Sequence, residues 1–149
     1  MIQVEKTPLN KIIEHAETIF PDECCGFMYG AENQEGNRII TEIRLVDNAK
    51  PGDKRRRFEI TGKDYMMGER YAVEKDLLFL GIYHSHPNHP AIPSEHDRVA
   101  AQPFFSYIIV SVRDGHTDHI RSWRLNDSFQ FEEEIFSPVQ SNQTIPWQQ

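Results

Sequence analysis

The chain has 149 residues, 38% of them hydrophobic and 11% aromatic, and a net charge of −7 at pH 7. That length suits one domain with a core of its own, and the negative balance excludes a general nucleic-acid binder, whose phosphate contacts need clustered cations. No run approaches the ~20 apolar residues of a membrane-spanning helix, and residues 1–6 lack the apolar centre of a secretory signal, so the cytoplasm is the expected compartment.

Thr7 as cap and Pro8 in the first turn open a predicted helix whose Leu9, Ile12, Ile13, Ala16, Ile19 and Phe20 share one apolar face; Pro21 stops it. Asp22 and Glu23 come next, just before a predicted strand over 25–29. Cys24 and Cys25 are adjacent, so they cannot pair in an ordinary disulfide. Cys25 reads as a small hydrophobe at the strand's start. A turn around Gly36 leads to a second strand over 38–46. The polar loop 47–57 carries Lys54-Arg55-Arg56-Arg57, expected to be a mobile solvated run, the alternative being a docking patch for an acidic partner. A short strand over 58–60 precedes a helix starting near Thr61, with Tyr65, Met66, Ala72, Val73 and Leu77 facing the core.

Residues 77–83 are apolar throughout and read as a central strand buried on both faces. Pro87 ends that strand. After a proline-rich loop, Ser94 looks like the N-cap of a short helix reaching about Gln102. A buried strand over 104–112, a hairpin turn at Arg113-Asp114-Gly115 and a partner over 119–125 follow, with His116 and His119 read as surface imidazoles. A last strand covers 129–136. The expected division is a domain over 1–136 and a flexible tail over 137–149.

The chemistry concentrates at His84-Ser85-His86-Pro87 and Ser94-Glu95-His96-Asp97. Residues two apart on a strand point the same way, so His84 and His86 can converge on one ion. A helix starting at Ser94 turns Asp97 back toward the strand end. Two imidazoles and one carboxylate suit zinc, and three protein ligands leave a position open for chemistry. A base is still needed; Glu23 and Asp22 both qualify, and spacing does not choose between them.

These residues resemble the JAMM motif of the JAB1/MPN/Mov34 metalloenzyme family: a distant Glu23, then His84-x-His86-Pro87, six residues, and Ser94-x-x-Asp97. Pro21-x-Glu23-x-Cys25-Gly26, Phe58-Glu59-Ile60 and residues 107–111 extend the likeness over roughly 5–125. The resemblance implies an α/β (α+β) fold, a single mixed sheet flanked by helices, similar to cytidine deaminase. Deaminase chemistry itself would need a Pro-Cys-x-x-Cys segment, which is absent.

It further implies that His84, His86 and Asp97 bind zinc, with Glu23 as general acid/base and Ser94 holding the oxyanion; His89 and His96 would stay free. The activity implied is that of a zinc metallopeptidase or isopeptidase. Its expected substrate is the Gly-Gly tail of a ubiquitin-like sulfur carrier protein, as in the prokaryotic branch. The alternatives are a non-enzymatic scaffold subunit and a zinc amidohydrolase acting on another peptide, such as one of the cell wall. Oligomeric state is not read from the sequence.

Overall fold

The computed structural model describes residues 1–139. One mixed sheet contains β1 (Ile2–Val4), β2 (Cys25–Glu32), β3 (Arg38–Val46), β4 (Leu78–Pro87), β5 (Ser106–Arg113), β6 (His116–Leu125), β7 (Phe131–Glu134) and β8 (Phe136–Pro138). Their order is β7-β6-β5-β4-β2-β3-β1-β8. The pairs β4–β5, β1–β3 and β1–β8 are parallel and the others antiparallel. Helix α1 (Lys6–Ile19) covers one face, α2 (Gly62–Lys75) the other, and α3 (Glu95–Ala100) follows β4. This is the mixed sheet flanked by helices that the resemblance implies. No described helix is long and apolar enough to cross a membrane.

β4 lies between β2 and β5, which explains its apolar sequence: from Leu80 onward every residue is buried. Its start is not, since Leu78 is 47% exposed. A register shift leaves Leu80 without a partner between Phe79 and Gly81 on the β2 side. Such an extra residue reverses the alternation of faces. Phe79 and Ile82 therefore share the aromatic α2 face, while Leu80 and Tyr83 share the aliphatic α1 face. His84 and His86 continue the Ile82 row, and Phe58 stacks on the His84 ring with centroids 4.6 Å apart.

The elements depart from the sequence reading in several places. Helix α1 begins at Lys6 after Glu5, which makes no side-chain cap, so Thr7 is already inside the first turn. Segment 58–60 joins no ladder; Glu59 O instead accepts from Ala49 N–H at 2.9 Å, and Glu59 N–H donates to Asn48 Oδ1 at 3.2 Å. On α2, Met66 and Val73 are 65% and 82% exposed; Tyr65, Gly68 and Ala72 form its inward row. Gly68 is there for closeness: a Cβ would stand 2.6 Å from the Phe27 ring.

β1 and β8 were not anticipated, being three residues each. Ser137 and Pro138, assigned to the tail, pair with Gln3 and Val4. Val139 is buried and donates to Val4 O at 2.9 Å. The rest of that proposed tail, 140–149, lies outside the described residues. Arg38 also escaped notice. Fully buried, it pairs with Glu32 at 2.6 Å and donates to Leu80 O, Ser106 Oγ and Phe104 O at 2.7–3.1 Å.

Candidate active site

Strand β4 ends with His84 and His86 on the α2 face, and their Nε2 atoms are 3.2 Å apart. Ser94 caps α3: its Oγ accepts from Asp97 N–H at 3.1 Å, and its own N–H donates to Asp97 Oδ2 at 2.9 Å. The reciprocal cap fixes the Asp97 rotamer and aims Oδ2 at the histidines, 3.5 Å from His84 Nε2 and 3.3 Å from His86 Nε2. The site thus joins a strand end to a helix start across a loop of prolines.

That loop is tied down. His86 Nδ1 donates to Pro90 O at 2.8 Å. Because a carbonyl only accepts, Nδ1 carries the proton of that bond, and Nε2 is the ring nitrogen that faces Asp97 and His84. Ala91 N–H donates to His119 Nε2 and Ala91 O accepts from Trp123 Nε1, each at 3.0 Å. Ser111 Oγ donates to His89 O at 2.6 Å. His119 is accordingly no free surface imidazole: a half-buried ring on β6 holds the loop that holds His86. Nothing in a sequence periodicity signals a bond between β6 and a loop 28 residues earlier.

Glu23 is brought to the cluster and Asp22 is not. Glu23 is 4% exposed, and one of its carboxylate oxygens lies within 4.8 Å of ring nitrogens of both histidines. Its Oε1 has no hydrogen-bond partner among the described residues, nor has His84 Nδ1. Glu23 N–H donates to Lys54 O at 2.7 Å, and Asn48 Nδ2 donates to Glu23 O and to Arg57 O, each at 3.0 Å. The basic run is therefore fastened beside Glu23 instead of floating. Cys24 and Cys25 are buried free thiols, and burial pushes Cys24 up to about 12, so neither offers a thiolate.

The electrostatics of the cluster follow from its burial. Burial pushes the Glu23 carboxyl up to about 9, the Asp97 charge adding to it and Arg57 opposing. Burial also lowers His84, keeping its imidazole neutral, with Asp97 opposing. For Asp97, burial acts upward but is outweighed by His84 and by hydrogen bonds from His84, His86 and Ser94 N–H, which hold the carboxyl well below its usual range. A carboxylate oxygen and two imidazole nitrogens converging on one buried point are a donor set that a cation would satisfy.

Geometry tests that directly. Ligands at ~2.0–2.2 Å around a tetrahedral zinc stand about 3.3–3.6 Å from one another. The three separations among His84 Nε2, His86 Nε2 and Asp97 Oδ2 are 3.2, 3.3 and 3.5 Å. Glu23 has a carboxylate oxygen within 4.8 Å of a ring nitrogen of each histidine, so Glu23, His84 and His86 are also a group that could hold an ion. His89 and His96 stand outside the cluster; His96 Nδ1 faces Arg57 Nη1 at 3.2 Å.

Residues 6–126 match the family described as prokaryotic homologs of the JAB domain. CysO-cysteine peptidase of Mycobacterium tuberculosis is 29% identical over 128 residues, which cover 85% of this chain and 84% of that one. A solution structure from Salinibacter ruber superposes with a TM-score of 0.71 at 32% identity, covering 96% of this chain and 95% of the other. A JAB1/MPN domain protein from Archaeoglobus fulgidus shares the fold, with a TM-score of 0.61 at 18% identity over 93% and 99% of the two chains. With the family matched over most of its length and the fold in agreement, the chain belongs to the JAB/MPN family, among its prokaryotic homologs.

Proposed function

We propose that this protein is a zinc-dependent peptidase that hydrolyses the amide bond after the Gly-Gly tail of a ubiquitin-like sulfur carrier. The observation that carries the reading is the convergence of His84 Nε2, His86 Nε2 and Asp97 Oδ2 at tetrahedral spacing, with buried Glu23 beside them. His84, His86 and Asp97 would hold the metal. Zinc in such a set supplies a Lewis acid that activates water near neutral pH and polarises a carbonyl.

The chain's own groups do the rest. Glu23, with a carboxylate oxygen within 4.8 Å of both histidines, would be ionised once a cation offsets the burial and the Asp97 charge that hold its proton, and it then takes the proton from the attacking water and redelivers it to the departing amine. In Ser94 the N–H is committed to Asp97 and Oγ already accepts, which leaves the hydroxyl proton to donate to the carbonyl oxygen as it gains charge. Phe58 fixes the plane of His84, and the Pro90 carbonyl fixes the tautomer of His86.

Segment 58–60 suits an extended substrate tail. It lines the cavity that reaches His84 and Asp97, and outside its Glu59 bonds it joins no ladder, so a tail can lie along it as an added strand. Residues without side chains pass closest to the metal, which favours Gly-Gly. The relative named as a CysO-cysteine peptidase supports peptide-bond hydrolysis. The proposed partner is a small ubiquitin-like protein and the proposed compartment the cytoplasm.

Mass spectrometry of carrier fusions incubated with zinc-loaded protein tests this. Cleavage should follow Gly-Gly, slow when the final Gly becomes Val, and fail with Glu23→Gln. Cutting that ignores the Gly→Val change points to a generic amidohydrolase; no cutting of any fusion, with zinc bound, points to a scaffold.

A further inference from the structure

One peptide group stands between the cluster and strand β6. His86 Nδ1 donates to Pro90 O at 2.8 Å, and Ala91 N–H, the other end of the same amide, donates to His119 Nε2 at 3.0 Å. His119 Nδ1 in turn lies 2.6 Å from Asp118 Oδ2. We propose that Asp118 and His119 are positioning residues for His86, acting through the Pro90–Ala91 peptide to set the direction and donor strength of its Nε2. This rests on the metallopeptidase reading above, in which His86 is a ligand, and extends it to two residues outside the ligand set.

Every bond in this line runs one way. A nitrogen that accepts from a backbone N–H carries no proton, so His119 holds its proton on Nδ1, toward Asp118. The bond from His119 and the charge of Arg113, 3.6 Å away, hold the Asp118 carboxyl below its usual range, so it is ionised at neutral pH. Its charge draws the Nδ1 proton, which makes Nε2 the better acceptor. The Ala91 N–H is drawn in its turn, and the Pro90 oxygen gains density for the His86 proton. Hydrogen bonds aligned in this way polarise one another. An imidazole whose far nitrogen donates to a stronger acceptor is the stronger metal ligand.

The backbone of β6 is deformed at this contact. Neighbours on a regular strand point to opposite faces. Here Ser111 pairs with His119 and Val112 with Thr117, which leaves Asp118 as an extra residue without a partner on β5. Such a bulge gives up ladder pairing and re-aims a side chain. This one sets the Asp118 carboxylate against the ring that follows it. A simple anchor for the loop would need His119 alone.

The loop has other anchors. Ser111, opposite His119 in the ladder, donates through Oγ to His89 O at 2.6 Å, and Trp123 Nε1 donates to Ala91 O at 3.0 Å. Ala91 is fully buried. With 89–91 fastened by these bonds, Asp118 is not needed to keep the peptide in place, and its part is electrostatic. A substitution there changes the charge at the end of the line and leaves the geometry standing.

Zinc affinity of the full chain, measured by competition with a chromophoric chelator, tests this. Asp118→Asn keeps an acceptor for His119 Nδ1 but removes the charge, and should weaken zinc binding by about tenfold, the lower end of what such outer partners contribute. Asp114→Asn, at another exposed acid of the same hairpin, should leave it unchanged. His119→Phe, which strips Ala91 N–H of its acceptor, should weaken zinc further, and His119→Gln, whose amide oxygen can accept there, should recover part of the loss. In metal-free protein Asp118→Asn should move the Nδ1-bound proton of His86 upfield by NMR, a change that an anchoring role alone would not produce. Zinc affinity of Asp118→Asn equal to the parent's, or a fall matched by Asp114→Asn, would overturn the relay. A parent that binds no zinc would sink the peptidase reading instead; the relay is then decided by the His86 proton, and an unmoved signal overturns it.

Discussion

On the α1 side of the sheet Ile2, Val4, Ile12, Ala16, Ile40, Ile108 and Val110 close over one another, and the Tyr83 hydroxyl reaches His15 at 2.7 Å. On the α2 side Phe27, Tyr29, Phe79, Phe105 and Tyr107 pack ring against ring. That row ends at His84 and His86, where buried polar atoms lack partners. The same strand serves both sides, because the extra residue at Leu80 puts Tyr83 on one and the histidines on the other. Close packing on the first side stabilises a fold whose second side leaves Glu23 Oε1 and His84 Nδ1 without partners among the described residues. Substitutions on the two sides should therefore be separable, one set moving stability and the other metal or turnover.

The largest separation belongs to the metal. Under the proposed ligand set, Asp97→Ala removes the one oxygen among three protein ligands, and metal analysis of the purified variant should find no zinc, whereas His96→Ala should retain it. Equal retention in both would break the ligand assignment. On the opposite side Ile12→Ala should cost ~2–5 kcal/mol in urea unfolding, the scale for emptying a fully buried aliphatic site, with zinc content unchanged. An Ile12→Ala protein that loses zinc while still folded would show the two sides coupled.

Glu23→Gln tests the site from within. Turnover should fall by ~10² or more, the contribution of a positioned acid/base, with zinc retained. The variant also removes an acid whose pKa burial raises from 4.5 to about 9; the folded chain holds a proton there that the unfolded chain releases, so at pH 7 metal-free Glu23→Gln should unfold at a higher midpoint. Loss of zinc instead would make Glu23 a ligand and return the base to open question. Ser94→Ala should keep metal, lose ~1 kcal/mol with the cap and turn over more slowly; full activity would leave Ser94 as a cap alone.

The sequence reading succeeded where chemistry and local periodicity coincide. Residues 38–46 are β3 as expected, and Ser94-x-x-Asp97 forms the reciprocal cap that aims a carboxylate. Spacing could not choose between Asp22 and Glu23, two acids in one turn, and only the family resemblance picked Glu23, the one of the two that is buried. Most of its errors share a cause, long-range pairing. β1 and β8 exist because they pair with each other and with β3. Segment 58–60 has strand-like residues but bonds to Ala49 and Asn48 instead of a ladder. The Lys54–Arg57 run looks solvated until Asn48 is seen to clamp it. Met66 and Val73 were assigned inward by hydrophobicity, yet the helical row set by Tyr65, Gly68 and Ala72 leaves them outside.

The smallest effect lies on the α1 side, in the pair His15 and Tyr83. Burial pushes the Tyr83 hydroxyl far up, the nearby Cys24 and Cys25 thiols adding to it, so it stays protonated and donates to His15 Nδ1. Burial lowers His15, with Asp47 opposing. A proton on Nδ1 would place two donors face to face, and the ring is packed edge-on to Tyr83 with centroids 5.8 Å apart. Because the folded pKa lies below the unfolded value of 6.5, the native state binds fewer protons than the unfolded chain in this range. The pair's contribution is therefore fully present above about pH 6.5 and is lost as pH falls through the folded pKa. Urea midpoints from pH 7.5 down to 5 should decline more steeply for the parent than for His15→Gln, whose amide oxygen can still accept from Tyr83 but does not titrate. Parallel slopes would remove His15 from the account and leave the α1 side stabilised by packing alone.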